Sequence, residues 1–87
     1  MKKRKLVNAF SVMMETRMAA KEKKYKKTPW WQLRGLFIEL EEAVEKLNIA
    51  MDSDCIEAIQ EQAADTANFC MMIAGQADPK WRKFRND

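Results

Sequence analysis

The chain has 87 residues, of which 47% are hydrophobic and 33% charged, with two Gly, two Pro, no His and a formal net charge of +3. A chain this short forms one domain with a marginal core, which makes a homodimer or higher homo-oligomer the expected state. The apolar content and scarcity of Gly and Pro exclude disorder and a loop-rich β fold. The lack of His leaves only carboxylates for metal chemistry, which favours hard cations such as Mg²⁺ or Mn²⁺.

The first predicted helix runs from about Lys3 to about Lys24, with Leu6, Val7, Phe10, Met13, Met14 and Met18 at helical spacing. A lysine-rich connector follows. Thr28-Pro29 has the form of an N-cap followed by Pro at the first helical position. From there the second predicted helix, residues 29–51, carries the stripe Leu33, Leu36/Phe37, Leu40, Val44, Leu47 and Met51. Asp52-Ser53-Asp54 breaks it, and Asp54 with Glu57 resembles a capping box for a third helix over residues 54–76. The stripe of this helix is Ile56, Ile59, Ala63, Thr66/Ala67, Cys70 and Ile73, and Phe69 and Met72 form a second apolar face. Gly75 and Asp78-Pro79 mark its end.

These elements imply an all-α fold. The expected architecture is a three-helix antiparallel unit over residues 1–78 that completes a larger bundle by dimerisation, with a basic aromatic tail over residues 79–87. No apolar run reaches ~18 residues, so no membrane span is expected. The basic start leads into an amphipathic stretch rather than a signal core, which points to the cytoplasm. Cys55 and Cys70 read as small buried hydrophobes in a reducing compartment.

Charge is segregated. Residues 1–27 carry ten Lys/Arg against Glu15 and Glu22, and residues 28–78 carry ten Asp/Glu against Arg34 and Lys46. A basic first helix can bind nucleic acid or an acidic protein, or pack beside the acidic helices of its own fold. The tail interleaves Lys80, Arg82, Lys83 and Arg85 with Trp81 and Phe84. It is a candidate contact for nucleic acid or a protein partner, with Trp81 and Phe84 capping the bundle as the structural alternative. Phosphate-binding Gly loops and nucleophile elbows are absent from the sequence. Chemistry is left to Glu39, Glu41, Glu42, Glu45, Glu61 and Asp65 on the second and third helices.

The segment Asp65-Thr66-Ala67-Asn68-Phe69-Cys70-Met71-Met72-Ile73-Ala74 resembles the "DVANF-x-MMIA" segment of small phage and bacterial MazG-like proteins. These belong to the all-α nucleoside triphosphate pyrophosphohydrolase superfamily. Phe10 to Met18, the basic stretch before Trp30, and Leu40 to Met51 are similar too, so the resemblance spans about residues 10–76. It implies a Glu-x-x-Glu pair on one helix and Glu-x-x-Asp on the next, holding Mg²⁺ for release of pyrophosphate from nucleoside triphosphates. Aligned on Leu40, Val44 and Leu47, those positions hold Ala43, Lys46, Gln62 and Asp65, and only Asp65 keeps its ligand type.

A shifted register offers Glu42 and Glu45 with Glu61. At about 100° per residue from Leu40, however, both Glu42 and Glu45 turn to the far side of the helix, while Glu39 shares the flank of Ala43 and Lys46. Lys46 is expected to pair with Asp65 or Glu39, or to contact a phosphate.

The resulting expectation is a non-catalytic, phage-type MazG-like protein in the host cytoplasm. It would need no cofactor and would serve as a protein-binding, inhibitory or nucleotide-binding module. Trp30, Lys46 and Asn68 are the candidate nucleotide contacts. Trp30 and Trp31 have core anchoring as their structural alternative, and Asn68 a hydrogen bond between helices. The first alternative is an active Mg²⁺-dependent pyrophosphohydrolase built from Glu39, Glu42, Glu45, Glu61 and Asp65. The second is a nucleic-acid-binding protein using the basic ends.

Overall fold

The computed structural model describes residues 2–23, 35–78 and 80. Thr28, Pro29, Trp30, Trp31 and the tail residues Trp81, Arg82, Lys83, Phe84 and Arg85 lie outside these described residues. The described residues form three helices: α1 (Lys2–Ala20), α2 (Leu36–Asp52) and α3 (Ile56–Ala77). None of them is long and apolar enough to cross a membrane.

The start of α2 differs from the sequence expectation for a backbone reason. Gly35 has φ 74 and ψ 24, a left-handed conformation outside the helix, and residues 29–34 of the expected helix lie outside the described residues. Its carbonyl accepts from the Glu39 N–H at 3.1 Å and so opens α2. After α1, Lys21 N–H closes a tight turn onto the Met18 carbonyl, and Glu22 and Lys23 are helical again, up to the last residue described before position 35.

Only Ser53, Asp54 and Cys55 separate α2 from α3. So short a link folds two helices of 17 and 22 residues back on each other as an antiparallel hairpin. Its chemistry is not the expected capping box. The N-cap of α3 is Cys55, which makes no side-chain cap bond. Asp54 instead occupies φ 56, where its short polar side chain is tolerated. Ser53 closes the turn: its Oγ donates to the Ala50 carbonyl at 2.6 Å and accepts from Cys55 N–H at 3.3 Å.

Which faces are buried is the larger correction. The core is Leu36, Ala43, Phe69 and Met72, with Met18, Leu40 and Ile73 packed against it. On α2 the buried positions are Leu36, Ala43 and Ala50, spaced two turns apart, while Phe37, Val44 and Met51 of the expected stripe are exposed. The face is rotated by about 60° from Leu40, because the two alanines let α3 approach closely. On α3 the expected second face is the core. Ala64, Phe69 and Met72 are buried with Asp65 and Asn68, and Ile56 is exposed. Cys55 and Cys70 are free and exposed rather than buried: Cys55 sits in the turn as the N-cap of α3, and Cys70 follows the rotated stripe outward.

Met72, only 1% exposed, is the largest side chain sealed completely in the core, whereas Met51 is 57% exposed. Met72→Ala is therefore expected to destabilise the fold by about 2–5 kcal/mol, from lost burial plus a cavity. Met51→Ala should change it by less than about 0.5 kcal/mol in the monomeric state. Urea titrations followed by far-UV circular dichroism compare the two.

Candidate functional site

The hairpin pairs positions equidistant from Asp54, so that Lys46 and Gln62, Ala43 and Asp65, and Glu39 and Phe69 come to the same levels. These six residues line one cavity of about 310 Å³, together with Glu42 from α2, Arg17 from α1 and Lys21 from the turn that follows α1. The size is near the lower end of small-molecule pockets. All four positions singled out by the resemblance, Ala43, Lys46, Gln62 and Asp65, thus meet in one place.

Glu39 and Glu42 also reach this cavity. Glu42 was expected on the far side; the rotation of the buried face by about 60° brings it back to the rim. Glu41 and Glu45 are exposed and take no part in the lining. Glu61 sits on the other side of Arg17, along a separate groove formed by Val12, Met13, Thr16, Ala20, Glu57 and Gln60.

Asp65 dominates the electrostatics. Its side chain is 8% exposed and is held from α1 by a forked pair of hydrogen bonds. Arg17 Nε donates to Oδ1 at 2.9 Å, and Arg17 Nη2 donates to Oδ2 at 3.0 Å. Two parallel N–H···O bonds between planar groups are the strong form of this interaction. Lys21 Nζ lies 3.7 Å from Oδ2 and also 5.2 Å from the centre of the Phe69 ring. Glu61 Oε2 adds a weaker contact to Arg17 Nη1 at 3.9 Å.

The hydrogen bonds to Asp65 raise the Arg17 guanidinium above its ordinary value. Burial opposes the rise, and the charges of Asp65 and Glu61 reinforce it. A raised pKa on a base gives stability that is fully present below the unfolded value and lost only above it. Arg17 therefore holds Asp65 with full charge throughout neutral and moderately alkaline pH.

Lys46 was expected to supply the internal cation. It lines the cavity, but the ion pairs to Asp65 come from Arg17 and Lys21. The sequence signal for them was available: at about 100° per residue, Arg17 and Lys21 fall on the same face of α1 as Phe10 and Met14. Two cations on an apolar face imply a buried anion on the partner helix.

Asn68 does not share the cavity. Its Nδ2 donates to the Met14 carbonyl at 3.0 Å, which is the inter-helix alternative for this residue, and it lines a different groove with Ser11, Met14, Met18 and Met71. Lys46 and Asn68 therefore do not converge on one ligand. Of the tail candidates only Lys80 is described: it is exposed, and its N–H donates to Asp78 Oδ1 at 2.9 Å.

The donor set does not suit a divalent ion. Among the described residues no group of three acids is arranged to hold a metal. Asp65 already meets two cations within 4 Å. At an effective dielectric of ~20, a divalent ion ~5 Å from one of them is repelled by on the order of 6 kcal/mol. Compared with known proteins, the chain matches no family model, no curated protein and no solved structure.

Removing Arg17 leaves a buried carboxylate with only a longer contact to Lys21. Arg17→Met is expected to cost about 2–4 kcal/mol, below the upper range for a buried pair because Arg17 is part-exposed. The double variant Arg17→Met/Asp65→Leu, which removes both charges, should recover at least half of that loss. Chemical denaturation of the three chains tests this coupling.

Proposed function

We propose that this chain is a non-catalytic MazG-like helical module that self-associates and acts through protein contacts rather than by turnover. The observation that carries the reading is the Arg17 fork on Asp65. Asp65 is the one residue that keeps the ligand type of the family motif, and its two oxygens are engaged by α1. The other three motif positions hold Ala43, Lys46 and Gln62 in the same cavity. Arg17 and Lys21 thus fill, from inside the fold, the electrostatic place that a divalent ion takes in the proteins this sequence resembles.

Self-association is supported by the balance of apolar side chains. Leu6, Val7, Val12, Phe37, Ile38, Val44, Ile49, Met51 and Ile56 are exposed, while Leu36, Phe69 and Met72 are the large hydrophobics of the buried core. A domain of this size gains its missing burial from a second copy. Host cytoplasm, with the chain encoded by a phage, is the setting proposed for it.

A second reading has a specific feature in its favour: Glu39 and Glu42 stand at the same cavity as Asp65. If Arg17 and Lys21 withdrew, these three acids would be the ligands of an active pyrophosphohydrolase.

Titration calorimetry with Mg²⁺ and Mn²⁺, together with pyrophosphate release from a panel of ribo- and deoxynucleoside triphosphates, separates the two. The expected result is no metal binding below millimolar concentration and no metal-dependent release. Ala43→Glu/Lys46→Glu/Gln62→Glu with Arg17→Gln should gain metal binding. Metal-dependent pyrophosphate release by the natural chain overturns the reading.

A further inference from the structure

We propose that the first two turns of α1 dock on the outer face of α2 in a second copy of the chain. This inference rests on the proposed self-association and assigns its surface.

The face of α1 that packs onto the rest of the fold comprises Phe10, Met13, Met14, Arg17, Met18 and Lys21, each half-buried. At about 100° per residue all six lie within about 100° of Met14. Leu6 and Val7 lie on that same side, at about 80° and 20° from Met14. They continue the face toward the helix start, yet they are 73% and 62% exposed. The part of α1 from Phe10 onward finds its partner in α3, and Leu6 and Val7 before it stay exposed with no core contact among the described residues. Arg4, at about 80° from Met14, borders this overhang, and Lys5, at about 180°, adds charge from the back of the same turn; both are exposed and without an ion pair among the described residues.

The outer face of α2 has the matching character. Counted from Leu40, Glu41, Asp52 and Glu45 form a ridge at about 100–140°. Phe37, Val44 and Met51 run along one side of the ridge, and Ile38 and Ile49 along the other. All eight are exposed, and the three acids make no ion pair among the described residues. An acidic ridge between two apolar stripes suits an apolar helix end bordered by cations.

The overhang cannot reach this ridge in its own chain. α1 is fastened across α3 by the Arg17–Asp65 and Asn68–Met14 bonds, and the ridge points away from the buried Ala43 face. A second copy is the occupant of opposite charge that the molecule itself supplies. Exchanged reciprocally about a two-fold axis, the contact is made twice, which brings two short helix ends toward the ~800 Å² per partner of a stable interface.

Sedimentation velocity on the full chain, in low salt and at ~0.5 M NaCl, tests the proposal through charge swaps. Arg4→Glu/Lys5→Glu and Glu41→Lys/Glu45→Lys should each weaken self-association at least tenfold, with far-UV circular dichroism confirming an unchanged helix signal. Mixing the two variants should restore a dimer, because each overhang then meets a ridge of opposite sign. A natural chain that stays monomeric at ~100 μM overturns self-association altogether. A natural dimer that survives both swaps, or variants that fail to pair when mixed, leaves self-association standing and overturns this surface. Neither result bears on metal binding, which is read separately.

Discussion

The Arg17–Asp65 pair is the interaction on which the arrangement depends. A carboxylate buried in the middle of a helix has to be matched, and a fork from a neighbouring helix matches both oxygens at once. That requirement fixes where α1 lies along α3, since Arg17 can meet Asp65 in only one register. Asn68, three residues on, then falls level with Met14, three residues back, and its amide ties the same two helices. The position and roll of α1 follow from polar bonds more than from apolar burial. Its partly buried methionines tolerate many arrangements, whereas a planar fork tolerates few.

The same pair decides the chemistry open to the cavity. A carboxylate is a ligand for a hard cation only while its oxygens are free or held by neutral donors. Here a guanidinium occupies both, and an ammonium stands within 4 Å of one. The family resemblance places three non-acidic residues at the remaining positions, and the fold brings those positions to the same cavity. Replacement of ligands and internal pairing of the last acid act in one direction. Each weakens an ion site at the motif positions, and Glu39 and Glu42 are the acids left at the cavity beside the paired Asp65.

The helical type of the described elements was legible in the sequence, because helical spacing and a three-residue break are local signals. The level of each residue across the hairpin was legible too. Once the turn is centred on Asp54, counting outward places Ala43 beside Asp65 and Lys46 beside Gln62. The roll of each helix was not. On α2, Val44 and Met51 are larger and more apolar than Ala43 and Ala50, so a hydrophobicity pattern points to them. Burial followed the alanines because small residues allow two backbones to approach, a geometric preference that hydrophobicity does not encode. That rotation carried Cys70 and Ile56 outward, moved Phe69 and Met72 inward, and turned Glu42 to the cavity rim. Gly35 and Asp54 were missed for another reason: their left-handed backbones belong to turns whose composition admits several geometries.

The charge segregation of the sequence serves one purpose in the fold and leaves a remainder. The basic first helix spends Arg17 and Lys21 on the acid of α3, so part of the +8 over residues 1–27 is internal structure rather than a nucleic-acid footprint. A surface that binds polyanions needs cations free to reach phosphates, and the two fastened to Asp65 are not free. On α2, the acids outside the cavity share the outer face with exposed Val44, Ile49 and Met51 rather than forming a purely polar face. Charge set among apolar side chains in this way is the composition of an interface margin, where the apolar atoms supply the affinity and the charges select the partner and its orientation.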